Sequence, residues 1–113
     1  MEIERFLELT GELESKKKGK KEETERLQKL FEHFHLLNRK YLDKEAFENA
    51  KGSIPSIAEA IANTVQYLDA EITRLRSKRM KLSVENVELA EMQKVQTRNE
   101  MLLKEFLAQF QEE

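Results

Sequence analysis

His33 and His35 are the chain's two histidines. Imidazole is a frequent metal ligand and a general base near neutral pH. Two positions apart on a helix, the pair points in different directions and cannot close on one ion. The expected placement is His33 on the surface and His35 beside an apolar face. Glu85, Glu88 and Glu91 offer carboxylate pairs at helical spacing. The bridged di-metal pattern of helical bundles needs Glu-x-x-His on facing helices. No histidine follows these glutamates at that spacing, so they read as a solvated face. The chain contains no cysteine, which removes disulfides, thiol nucleophiles and cysteine-rich zinc sites. No Gly-rich phosphate loop, nucleotide fingerprint or Ser/His/Asp constellation is present. Catalysis is therefore not expected, and neither is a cofactor or a metal site.

Arg74, Arg76, Lys78, Arg79 and Lys81 form a basic run that could hold phosphate backbones. Two facts weigh against a nucleic-acid partner. The net charge is −2, and the run spreads around a helix with acidic partners available elsewhere in the chain. The lysine cluster at 16–21 could touch an acidic surface, but glutamates flank it on both sides. No apolar run approaches the ~18 residues needed to span a bilayer. Met1 is followed by Glu2, Glu4 and Glu8, the wrong charge for a leader peptide. A soluble cytoplasmic protein with no membrane role is expected.

The elements that carry these groups read as helices. Charged residues make up 37% of the 113 residues, hydrophobic residues 39%, and there are only three Gly and one Pro. Little material is left for the turns of an all-β fold. The single proline lies in Lys51-Gly52-Ser53-Ile54-Pro55-Ser56 and divides two amphipathic stretches of similar length. In the first, Phe6, Leu13, Lys20, Leu27, Phe34 and Tyr41 recur every seven residues. In the second, Ile61, Val65, Leu68, Ile72, Leu75, Leu82 and Leu89 follow a 3-4 heptad, with Arg79, Asn86 and Gln93 as polar interruptions. Pro55 suits a first helical turn, and Ser56 with Glu59 has capping-box spacing.

The expected fold is a single all-α domain over residues 1–113. It is a long, coiled-coil-like antiparallel helical hairpin. One arm covers about 1–50 with a weak point at 16–21, where a frayed helix and a loop are both open. The turn is at 51–55, and the second arm covers about 56–111. In that register the lysines at 16–21 face Glu85, Glu88 and Glu91, while Glu22, Glu23 and Glu25 face Lys78, Arg79 and Lys81. At ~1.5 Å per residue each arm would be about 75 Å long. A continuous second arm is favoured over a helix restarted at Ser83, because no Gly or Pro accompanies that serine.

The apolar face around Leu27, Leu30, Phe31, Phe34, Leu36, Leu37, Tyr41 and Leu42 is wider than a two-stranded seam needs. It suggests a homodimer of hairpins forming a four-helix bundle, or a hairpin docked on another protein. A three-helix bundle with residues 1–15 folded back is the alternative. Leu103, Phe106, Leu107 and Phe110 make an apolar end near Ile3, Phe6 and Leu7. That end either packs on itself or accepts a partner helix. The candidate partner-binding residues are thus Phe6, Leu7, Leu30, Phe31, Leu37, Leu103, Phe106, Leu107 and Phe110. The function expected is non-enzymatic: a protein–protein interaction module such as a small adaptor, assembly subunit or holding chaperone. The alternatives are a nucleic-acid-associated regulator using 74–81 and a purely structural homodimeric coiled coil.

Overall fold

The computed structural model describes residues 3–15, 21–50 and 53–111. They form five α-helices: α1 (Ile3–Ser15), α2 (Lys21–Asn38), α3 (Lys44–Ala50), α4 (Ile54–Ser77) and α5 (Ser83–Gln111). Helix α4 is the hub and packs against each of the other four, while α5 also packs on α1 and α2.

The expectation of an all-helical chain holds, but the two-armed outline does not. The first stretch is interrupted at 39–43 and the second at 78–82. The greatest extent is 53 Å rather than an arm of about 75 Å. The weak point expected at 16–21 lies almost wholly outside the described residues, of which Lys21 begins α2. A compact arrangement wins for a physical reason. Folding the chain back at 39–43 and 78–82 covers the wide apolar faces that two extended arms would leave in water.

Each helix carries a stripe that explains its packing. In α2, Leu27, Phe31, Phe34 and Asn38 are buried at spacings of four, three and four. In α4, Ile57, Ala58, Ile61, Ala62, Thr64, Val65, Leu68, Ile72 and Leu75 are buried. A face that broad fits a helix with neighbours on several sides. In α5 the stripe Met92, Gln96, Asn99, Leu103, Phe106 and Leu107 is buried, but the first two turns are not.

The ends have identifiable causes. Ser53 is the N-cap of α4, and its Oγ accepts a hydrogen bond from Ser56 N at 3.4 Å. Pro55 occupies the first turn as expected, but the cap is Ser53 rather than Ser56. Asp43 caps α3, with Oδ1 accepting from Glu45 N at 3.2 Å. Helix α4 stops at Lys78, whose backbone is extended (φ −69°, ψ 131°). Helix α5 restarts with half of a capping box. Glu85 Oε1 accepts from Leu82 N at 3.2 Å, and the same carboxylate pairs with Lys78 Nζ.

Two apolar clusters form the core. The larger joins Phe6, Leu27, Phe31, Phe34, Ile57, Ile61, Val65, Leu103 and Phe106 with smaller neighbours. Phe6 and Phe106 meet edge to face at 5.3 Å, which ties α1 to the far end of α5. The smaller joins Leu68, Ile72, Leu75 and Met92, with Tyr41, Leu89 and Val95 against it.

A polar layer falls between the clusters. Along α5 the order is Met92, Gln96, Asn99, Leu103, so the two amides separate one cluster from the other. Asn38 Nδ2 donates to Asn99 Oδ1 at 2.6 Å, and Asn99 Nδ2 donates back to Asn38 Oδ1 at 2.9 Å. Asn99 Nδ2 also donates to Gln96 Oε1 at 3.1 Å. Gln96 Nε2 then donates to Val65 O at 3.0 Å and Asp69 Oδ1 at 2.7 Å. Three helices are thereby linked by one satisfied chain of hydrogen bonds.

Candidate interaction surface at the α4–α5 tip

The connection 78–82 and the first two turns of α5 carry apolar side chains that no helix covers. Met80 is 89% exposed, Leu82 71%, Val84 74% and Val87 68%. Tyr67, on the facing part of α4, is 49% exposed. A single exposed leucine would mean nothing, but grouped apolar exposure rimmed by charge marks an interaction surface. Tyr41, Tyr67, Val84 and Val87 line one groove of about 590 Å³, with Lys40, Ser83, Glu88 and Glu91 on its rim.

Charge brackets this tip. Lys40 Nζ reaches both oxygens of Glu91, at 3.1 and 3.0 Å, and joins the end of α2 to α5. The hydrogen bond to Glu91, followed by its charge, raises the Lys40 pKa above its ordinary value. Glu85 is held below the usual carboxylate range, first by Lys78 and then by the Leu82 N–H. Glu71 is likewise lowered by its hydrogen bond from Arg74, at 2.9 Å. Tyr41 is raised, mainly by desolvation, and its hydroxyl is buried with no hydrogen-bond partner.

The residues singled out in the sequence fall in two groups. Phe6, Phe31, Leu103, Phe106 and Leu107 are buried in the chain's own core. Leu30 and Leu37 are half-buried, Leu7 is barely exposed, and the Phe110 side chain lies outside the described residues. Phe6, Phe31, Leu103, Phe106 and Leu107 pack the helices together and leave no free docking face at their positions. The basic run is also partly engaged. Arg74 pairs with Glu71 and Lys78 with Glu85. With the Gln93 amide turned so that its oxygen faces the guanidinium, it accepts from Arg76 at 2.8 and 2.9 Å. Arg79 and Lys81 stay in the connection, in no ion pair with a described residue.

His33 is exposed, and His35 stacks on Phe47 at 3.9 Å between ring centres. Among the described residues no three His, Cys, Asp or Glu side chains gather where they could hold a metal ion. Among them, too, no helix is long and apolar enough to cross a membrane. The facing of the lysines at 16–21 with Glu85, Glu88 and Glu91 falls outside the described residues on the lysine side for 16–20. Glu85 pairs with Lys78 and Glu91 with Lys40.

The surface missed in the sequence is the tip itself. Leu82 read as a seam residue, because the heptad runs through 78–82 without slipping. The only signal of the break was Ser83, preceded by alternating cations and apolar residues in Lys78-Arg79-Met80-Lys81-Leu82. Comparison of the chain with protein-family models, curated proteins and solved structures finds no match.

Proposed function

We propose that the protein is a non-enzymatic protein–protein interaction module of the cytoplasm. An adaptor, an assembly subunit and a holding chaperone all fit that reading. The observation that carries it is the uncovered apolar tip: Tyr67, Met80, Leu82, Val84 and Val87 lie at one end of a domain whose other large apolar side chains are mostly buried. Burying such a surface against a polypeptide yields roughly 25 cal/mol per Å² before the costs of association. The five helices supply a scaffold that holds the tip in place.

The nucleic-acid reading of Arg74, Arg76, Lys78, Arg79 and Lys81 is supported less well, since three of the five already have partners within the chain. The test is site-specific photocrosslinking from Val87 and Met80 in cells, followed by mass spectrometry. A discrete adduct with a polypeptide, lost when the crosslinker is moved to exposed Glu48 on α3, is the expected result. Adducts only to nucleic acid, or none at all, would sink the reading.

A further inference from the structure

We infer that the α4–α5 tip is a self-association surface, on which a second copy of the chain packs in reverse about a two-fold axis between Val84 and Val87. The inference rests on the reading of the protein as an interaction module and names the partner at this site.

The order of charges along the chain selects this partner. The cations Lys78, Arg79 and Lys81 come before the two valines, and the carboxylates Glu88 and Glu91 come after them. A second tip laid antiparallel over Val84 and Val87 brings Arg79 and Lys81 of one copy beside Glu88 and Glu91 of the other. Two-fold symmetry makes the contact twice, since residue i meets j and j meets i. A parallel copy would place like charges together, which opposes association. Glu91 is already held by Lys40, so the cross-contact falls chiefly on Glu88. Arg79, Lys81 and Glu88 form no ion pair with any described residue.

The same order disfavours other occupants. An acidic helix would suit Arg79 and Lys81 in the connection but would meet Glu88 on the rim of the groove. An anionic bilayer would meet the same Glu88 carboxylate. A partner must carry both signs in reversed order, and this chain's own tip does. The apolar centre fits a symmetric contact as well. Val84 and Val87 lie about one helical turn apart on one side of α5, flanked by Tyr67 across the groove. The patch is small, so the dimer should be weak, with a Kd in the micromolar range.

The test is sedimentation velocity on the full chain from about 1 to about 500 µM, a range that spans such a Kd. A monomer–dimer equilibrium is expected, weakening as salt rises. V84S/V87S should raise Kd by at least about 100-fold with helical circular dichroism unchanged, because the substitutions lie on an uncovered face. R79E/K81E and E88K should each weaken association about 10-fold or more. Mixing those two variants should restore much of it, because one half of the interface then keeps its native charges and in the other half position 88 again meets opposite charge at 79 and 81. A wild type that stays monomeric throughout overturns the inference. So does a dimer that survives V84S/V87S, or a mixture of charge variants that stays apart. A monomeric wild type that floats with phosphatidylserine vesicles would assign the tip to a bilayer, again overturning it. If the wild type is monomeric while Val87 crosslinks a different protein, only self-association fails and the interaction-module reading stands. If neither dimer nor protein adduct appears, both fail.

Discussion

Asn38 in α2 and Asn99 in α5, 61 residues apart in the chain, exchange two amide hydrogen bonds at 2.6 and 2.9 Å with neither side chain exposed to solvent. A paired amide in an apolar interior adds little net stability, but an unpaired one is costly. The pair therefore acts as a register pin. Sliding α2 along α5 by one turn would part the two amides and leave Asn99 against an apolar position of α2.

Replacing one partner tests the pin. Asn38→Leu and Asn99→Leu should each cost about 2 kcal/mol in urea unfolding, since the surviving amide is left without its partner. The double variant should recover most of that loss. Strictly additive costs would show that the two amides are not coupled.

Phe6 holds α1 to α5 through its edge-to-face contact with Phe106. Phe6→Ala should destabilise by about 3–5 kcal/mol. Amide hydrogen exchange in α1 should speed up more than exchange in α4, because α1 has no second aromatic anchor of that kind. Equal acceleration in both helices would contradict that role.

Tyr41 carries a buried hydroxyl with no partner. Tyr41→Phe removes the orphan and keeps the ring against Leu68, Ile72, Leu75 and Met92. Stability at low protein concentration should stay the same or rise by up to about 1 kcal/mol. A clear loss would mean that the hydroxyl has found a partner.

Acid should loosen the tip. The Glu85 pKa is lowered from 4.5, chiefly by the hydrogen bond from Lys78 and next by the Leu82 N–H. A carboxylate depressed in the folded state stabilises above its unfolded pKa, and that contribution is lost as pH falls through the folded value. Protection of the Leu82 N–H and of the first turn of α5, measured against the intrinsic exchange rate at each pH, should therefore fall as pH drops below about 4.5. Glu85→Gln should show faster exchange already at neutral pH, with a flatter acid response. An unchanged acid response in that variant would remove Glu85 from the connection's support.

Much of the core was legible in the sequence, because periodicity reports burial directly. Ile61, Val65, Leu68, Ile72 and Leu75 lie on one face, and all five are buried. The break at 78–82 was not legible. No Gly or Pro marks it, and a heptad that continues through a loop looks the same as one that continues through a helix. What selects the break is tertiary: α5 folds back to cover α4 and α2. The Asn38–Asn99 pair was hidden for a related reason. Two asparagines so far apart become partners only once the register of α2 on α5 is fixed, and residue type does not encode that register. The tip was misread because Leu82 was assigned to a seam that ends at Leu75. Phe6, Phe31, Leu103, Phe106 and Leu107 read as partner-binding because a sequence shows that a face is apolar without showing which helix of the same chain covers it.

The position of α4 has a consequence for how the chain is made. It is the helix on which α1, α2, α3 and α5 all pack, and it is fourth in order. A ribosome adding about 5–20 residues per second finishes α1, α2 and α3 on the order of seconds before α4 is complete. Over that interval Phe6, Leu27, Phe31 and Phe34 have no α4 to bury them. The newborn chain thus passes through a sticky stage set by gene order alone, and cellular factors that shield nascent apolar segments should matter more to its yield than the stability of the finished fold.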